Sequence, residues 1–115
     1  MSFKSKYSFE ERYNEAHKII EKYPDRLPII CEKNEKSKNT PAIDKNKYLV
    51  PLDLTIAQFI FVIRKRIHLK PEEAIFLFIN GVIPPASCFI SEIYDLYKDP
   101  DGFLYCIYSY ENVFG

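Results

Sequence analysis

Apolar positions recur along this chain with two different periods, and the changes of period mark its elements. Across residues 9–22, FEERYNEAHKIIEK, the residues Phe9, Tyr13, Ala16, Ile19 and Ile20 are spaced four, three, three and one apart. That spacing puts them on one side of a helix. Pro24 stops it, because proline disfavours the helical conformation at the preceding Tyr23. A shorter, polar helical turn is expected upstream, around residues 3–7. Residues 27–33, LPIICEK, read as a first strand from their β-branched and apolar content. Pro28 at its start suggests an edge position or a missing ladder donor. Residues 34–46 are polar and form the most linker-like loop of the chain. Residues 47–52, KYLVPL, read as a second strand that Pro51 ends or frays.

The clearest helix begins at Thr55. Thr55-Ile-Ala-Gln58 matches the capping box, in which hydroxyl and amide satisfy free N–H groups at a helix start. Ile56, Phe59, Ile60, Ile63 and Ile67 then follow the spacing of a core face. Phe61 and Val62 lie off that stripe and widen the apolar surface. Residues 75–79, IFLFI, are a continuous apolar run, expected as a central strand buried on both faces. Asn80-Gly81 signals a tight reversal. Residues 88–97 read as a short helix with Ile90, Ile93, Tyr94 and Tyr97 on one side. Asp99-Pro-Asp-Gly102 is a turn, and residues 103–109, FLYCIYS, form a last strand. The predicted order is helix, strand, strand, helix, strand, short helix, strand. That is an α+β layer with helices on one mixed four-stranded sheet. Without its first helix it is the ubiquitin-like β-grasp order. One domain over 1–115 is expected: a helical extension over 1–23, a β-grasp core over 24–109 and a tail over 110–115.

Composition narrows the function. The chain has 115 residues, of which 47% are apolar and 28% charged, ordinary for a globular protein with one core. No apolar run approaches the roughly 20 residues of a membrane helix. The start has no apolar stretch of the signal-peptide kind. The formal net charge is zero but lopsided. Residues 1–70 hold 15 Lys and Arg against 9 Asp and Glu, while residues 71–115 hold 1 against 7. Such a split favours a basic partner-facing surface over nucleic-acid affinity, which would call for a net excess. Cys31, Cys88 and Cys106 are an odd number without a CxxC pair and are expected as reduced, structural thiols in a cytoplasmic protein. No phosphate loop, metal-ligand spacing or nucleophile signature appears, so no enzyme, metal or cofactor is expected. Glu72-Glu73, Asp99 and Asp101 are expected to be solvated helix-start and turn residues. Arg64-Lys-Arg66 is favoured as a helix C-terminus complementing its dipole over a nucleic-acid patch.

The last residues are Tyr110-Glu-Asn-Val-Phe-Gly115. A terminal glycine carries a carboxylate without a neighbouring Cβ, so it can enter a narrow channel and be attacked there. Five stretches then resemble the autophagy-related protein 8 family, whose animal members include GABA-receptor-associated protein and microtubule-associated protein light chain 3. They are Tyr23-Pro-Asp-Arg-Leu-Pro28, Asp44 to Pro51, Gln58 to Leu69, Asn80-Gly-Val-Ile-Pro-Pro85 and Glu111-Asn-Val-Phe-Gly115. The resemblance runs in register from about Phe9 to Gly115.

This resemblance implies a non-enzymatic ubiquitin-like modifier. Gly115 would be the site of covalent attachment to phosphatidylethanolamine, and Phe114 its recognition neighbour. Activating and conjugating enzymes would be partners, and the product would sit on autophagosomal membranes. It also implies a groove for peptides with an aromatic, two variable residues and an aliphatic, carried by receptors and adaptors. The aromatic pocket would be lined by Glu15, Ile19, Pro28, Ile30, Lys47, Leu49 and Phe103. The aliphatic pocket would be lined by Tyr48, Val50, Pro51, Leu54, Phe59, Val62, Ile63 and Arg66. Arg26 and Lys45 would meet acidic flanks. Plain core packing competes with pocket lining for Ile19, Ile30 and Phe59. The alternative function is a non-covalent adaptor in vesicle traffic or on microtubules. Two departures from the family stand out: Tyr110 replaces a residue that is often small or polar, and the 34–42 loop is one residue longer than in the GABA-receptor-associated branch. Many relatives also carry a tail after the glycine that a cysteine protease removes.

Overall fold

The computed structural model describes residues 2–110. Its elements are α1 (Phe3–Lys6), α2 (Phe9–Lys22), β1 (Arg26–Lys33), β2 (Lys47–Pro51), α3 (Ile56–Arg66), β3 (Phe76–Phe78), α4 (Ile90–Tyr97) and β4 (Leu104–Ser109). Local chemistry accounts for most boundaries. The Thr55 box forms as expected: the Gln58 amide donates to Thr55 Oγ1 at 3.2 Å and the Thr55 amide to Gln58 Oε1 at 2.8 Å. A second box, Ser8 with Glu11, opens α2 at 2.9 and 3.1 Å. Its Ser-x-x-Glu spacing is the sequence signal for this start. Asn80 and Gly81 both take positive φ, 52° and 75°. Ile79 and Val82 exchange both backbone hydrogen bonds around them, the two-residue reversal that an Asn-Gly pair favours.

The four strands form one mixed sheet in the order β2-β1-β4-β3. β1 runs antiparallel to β2 and parallel to β4, and β3 is antiparallel to β4. Two strand expectations change here. β1 is interior, so of the two readings of Pro28 the edge position falls and the missing ladder donor stands. Cys31 donates to Asn46 at 2.7 Å. By the alternation of antiparallel ladders, position 28 then faces away from β2 for hydrogen bonding. On the β4 side the ladder begins only at Ile29. The missing N–H of Pro28 therefore costs no ladder bond. Conversely, the IFLFI run supplies a terminal strand of three residues, not a central one. Leu77 and Ile79 enter the main core while Phe78, on the opposite face, sits in register with Ile107.

Side chains alternate across β1 into two cores. Ile29 and Cys31 join Tyr48, Val50, Phe59, Ile63, Ile90 and Leu104 beneath α3 and α4. Ile30 joins Phe3, Ala16 and Phe103 on the other face, beneath α1 and α2. Helices thus cover both faces of the sheet.

The second face is tied down by a polar cluster that overturns the solvated reading of Asp101. Its side chain is fully buried. It accepts from Arg12 Nη1 at 2.6 Å, from the Tyr105 hydroxyl at 2.5 Å and from the Phe103 amide at 2.8 Å. Beside it Asp99 accepts from Lys4 Nζ at 2.5 Å and from the Asp101 amide at 3.1 Å. The turn is buried because α2 lies on it. A Cβ at Gly102, whose φ is +97°, would stand 3.0 Å from Ala16 Cβ and 3.2 Å from His17 Cε1.

Replacing Asp101 by Ala takes from Arg12, whose side chain is 12% exposed, its short carboxylate bond and leaves it Asp99 at 4.0 Å and the Tyr7 carbonyl. We expect a loss of about 3 kcal/mol in urea unfolding, against about 1 kcal/mol for Tyr105→Phe. An Asp101→Ala loss within about 0.5 kcal/mol, the usual range for surface positions, would restore the solvated reading.

Acid should loosen the same face. Partial burial pushes the Asp99 carboxyl up, but Lys4, the Asp101 amide and Arg12 outweigh it and hold it below the usual 3.8. A depressed carboxyl contributes stability above its unfolded pKa and loses it as pH falls through the folded one. The stability difference between wild type and Lys4→Ala should therefore be full at pH 5 and shrink below 3.8. A difference that stays constant down to acid unfolding would exclude this pair as its source.

Candidate functional site

β2 ends the sheet, and its outer edge has no strand partner among the described residues. The alternation that frees Pro28 also settles what this edge displays. Tyr48 and Val50 bond toward β1, so Lys47 and Leu49 turn their backbone groups outward. The Leu49 carbonyl accepts from Arg26 Nη1 at 3.3 Å, and Pro51 has no N–H to offer. The open edge is therefore short and centred on Lys47 and Leu49.

On the α2 side of this edge stand the residues expected for the aromatic pocket. Pro28, Ile30 and Phe103 are fully buried, whereas Glu15, Ile19, Lys47 and Leu49 are half-buried. The first three are floor, so an occupant would meet mainly the other four. Lys47 Nζ lies 2.5 and 2.7 Å from the two Glu15 carboxylate oxygens, joining β2 to α2. It also lies 5.7 Å from the centre of the Phe3 ring. Phe3 was not among the expected site residues. It packs edge-on against Phe103, with ring centres 5.2 Å apart, and only the folded position of α1 reveals it.

On the α3 side stand the residues expected for the aliphatic pocket. Tyr48, Val50, Phe59 and Ile63 are buried, Leu54 is half-buried, and Pro51, Val62 and Arg66 are exposed. Tyr48 and Phe59 meet at right angles with ring centres 5.7 Å apart. The Tyr48 hydroxyl is buried, and no described residue meets it at hydrogen-bond geometry. Burial, and then the neighbouring Cys31 thiol, push its pKa up to about 12 against the pull of Arg66. It is thus neutral at any physiological pH. Arg66 Nε lies 3.5 Å from Asp44 Oδ1, and Lys45 Nζ lies 5.4 Å from the Tyr48 ring. The two expected pockets accordingly fall on opposite sides of one open strand edge. An open depression of about 980 Å³ lies elsewhere, around Glu32, Lys36, Ile43 and Asp44, and includes none of the expected lining residues.

The cations at the end of α3 are engaged locally. Arg64 donates to the carbonyls of Glu73 and Lys70 at 2.8 and 3.0 Å, and Lys65 lies over the Phe61 ring. Arg64 thereby holds the following loop, and the position of these cations in the last turn is in line with the dipole reading. Cys31 and Cys106 are buried register partners on β1 and β4. Burial raises both thiols, so neither supplies a thiolate nucleophile. Among the described residues no three His, Cys, Asp or Glu side chains converge on a metal position. No helix among them is long and apolar enough to cross a membrane. Phe114 and Gly115 lie outside the described residues.

A family model described as autophagy protein Atg8, ubiquitin-like, matches residues 11–115. Autophagy-related protein 8 of Vanderwaltozyma polyspora is 58% identical over 114 residues, covering 99% of this chain and 96% of that protein. The protein of the same name from Schizosaccharomyces pombe is 58% identical over 113 residues, with 98% and 93% covered. Among solved structures, Trypanosoma brucei ATG8 superposes with a TM-score of 0.90 at 47% identity, covering 95% of this chain and 93% of that one. Plasmodium falciparum Atg8, solved in complex with a Plasmodium falciparum Atg3 peptide, gives 0.88 at 38% identity, with 96% and 97% covered. The similarity runs over nearly the whole chain, and the chain belongs to the Atg8 family of ubiquitin-like autophagy proteins.

Proposed function

We propose that this chain is a modifier on which other proteins act, joined through Gly115 to phosphatidylethanolamine. What carries the reading is that the family match extends through residue 115, ending in Phe114-Gly115 just beyond β4. In the first step the Gly115 carboxylate attacks ATP and becomes an acyl-adenylate, releasing pyrophosphate. A cysteine thiolate of the activating enzyme displaces AMP, and the acyl group moves by exchange to a cysteine of the conjugating enzyme. The lipid amine then attacks the thioester, the thiol leaves, and an amide remains. One acyl chain holds a protein on a membrane only marginally, and a phospholipid brings two. The reaction thus anchors a domain to autophagosomal membranes without an apolar segment of its own.

The second part of the proposal is recruitment through the β2 edge. A peptide strand added beside Lys47 and Leu49 would extend the sheet. Its aromatic anchor would rest on the α2 side and its aliphatic anchor on the α3 side. The complex of the related Plasmodium Atg8 with an Atg3 peptide supports peptide docking as a property of such chains. Each buried anchor contributes about 1.5–3 kcal/mol. Together with strand hydrogen bonds this is of the order of micromolar binding, about 8 kcal/mol.

Incubation with the activating and conjugating enzymes, ATP and liposomes containing phosphatidylethanolamine should yield a lipidated band that Gly115→Ala abolishes. Unchanged mobility of the wild type would leave only the non-covalent adaptor.

An aromatic-x-x-aliphatic peptide should bind Lys47→Ala/Leu49→Ala about tenfold more weakly than wild type in calorimetric titration. The Lys47–Glu15 pair is more than a third exposed on both sides, so its loss should cost less than about 1 kcal/mol of stability. Equal affinity in the two proteins would remove the β2 edge as the docking site.

A further inference from the structure

The loop between β1 and β2 buries two hydroxyls, which a mere connector has no need to do. Ser37 and Thr40 are 2% and 3% exposed, although Lys36, Lys38 and Asn39 around them are exposed. Asn34 begins the fold of the loop: its side chain accepts the Lys36 amide at 3.0 Å and its carbonyl the Ser37 amide at 3.1 Å. Ser37 Oγ and Thr40 Oγ1 then hydrogen-bond at 2.5 Å. Thr40 Oγ1 also accepts the backbone N–H of Tyr110 at 2.9 Å, across 70 positions of sequence. Two more bonds join the same segments: Tyr108 Oη donates to the Pro41 carbonyl at 2.7 Å, and the Asn34 amide to the Tyr108 carbonyl at 2.9 Å. All three cross-links converge where β4 ends at Ser109 and the C-terminal segment departs.

From this clasp we infer that Thr40 is a tail-positioning residue for transfer of Gly115, an inference that rests on the conjugation reading above. Glu111 to Gly115 are five residues, with a fully extended reach of about 17 Å. Fixing Tyr110 therefore bounds how far from that point the reactive carboxylate can lie. A residue already fixed, as Tyr110 is, loses no conformational entropy when the chain that follows it docks in an enzyme channel. A threonine hydroxyl has one donor and two acceptor sites. That suffices to take the Tyr110 N–H and pair with Ser37 at once. Valine keeps the shape and removes both bonds, whereas serine keeps both.

The test follows transfer of Gly115 to the conjugating-enzyme cysteine, in the presence of ATP and activating enzyme, for wild type, Thr40→Val and Thr40→Ser. Of the two bonds that valine removes, loss of the one to Tyr110 predicts a two- to tenfold lower kcat/KM for Thr40→Val. The change should be carried by KM, with Thr40→Ser near wild type and the peptide affinity of all three unchanged. Hydrogen exchange gives a readout that needs no enzymes. The Tyr110 amide should be protected in wild type and in Thr40→Ser, and exposed in Thr40→Val. A Tyr110 amide that exchanges at the free-chain rate in wild type overturns the inference. So does transfer of Thr40→Val with wild-type kinetics. Failure of wild type to form a thioester removes the conjugation reading and this inference together, whereas the two preceding outcomes leave that reading standing.

Discussion

The strand β1 is buried on both faces and paired on both edges, and the other elements arrange themselves around that constraint. A strand with Ile29 and Cys31 on one side and Ile30 on the other needs two apolar covers. α3 and α4 supply one, α1 and α2 the other. Antiparallel pairing to β2 on one flank and parallel pairing to β4 on the other leaves β2 as a terminal strand. The open edge expected to accept a peptide is thus a consequence of where β1 has to lie. The two apolar sides of that edge are the rims of the two cores that β1 separates.

Polar contacts make the second cover specific. An amphipathic helix can sit on a sheet in several registers. Arg12 reaching the buried Asp101, and Lys4 reaching Asp99, select one for α2 and α1. The Tyr105 and Phe103 donors complete the Asp101 carboxylate, which a buried charge requires. The same register brings Phe3 to the ring of Phe103 and to Lys47. The N-terminal helices therefore shape the α2 side of the β2 edge as well as covering the sheet.

Charge around the edge is partly self-neutralised. Lys47 pairs with Glu15 and Arg66 with Asp44, while Lys45 and Arg26 carry no carboxylate partner among the described ion pairs. Exposed pairs of this kind are worth little. In the proposed docking, an acidic peptide flank would exchange places with Glu15 or Asp44 at small cost, which would give the basic first half of the chain a physical use.

Local interactions were legible in the amino-acid order. The helix starts at Ser8 and Thr55, the Asn80-Gly81 reversal and the amphipathic stripes each depend on residues within a few positions of one another. The element order followed from the stripes, the Thr55 box and the reversal, and the family resemblance from five stretches of residues. Strand order was not legible, because LPIIC and IFLFI are both continuous apolar runs, and such a run does not say which strand will be flanked on both edges. Nor was the burial of Asp101, whose partner Arg12 is 89 positions away, or the grip of Thr40 on Tyr110 across 70. Short-range spacing determines which segments can be helix, strand or turn. Which polar groups lose water is decided only when distant segments meet, because desolvation and its compensation belong to the packed chain.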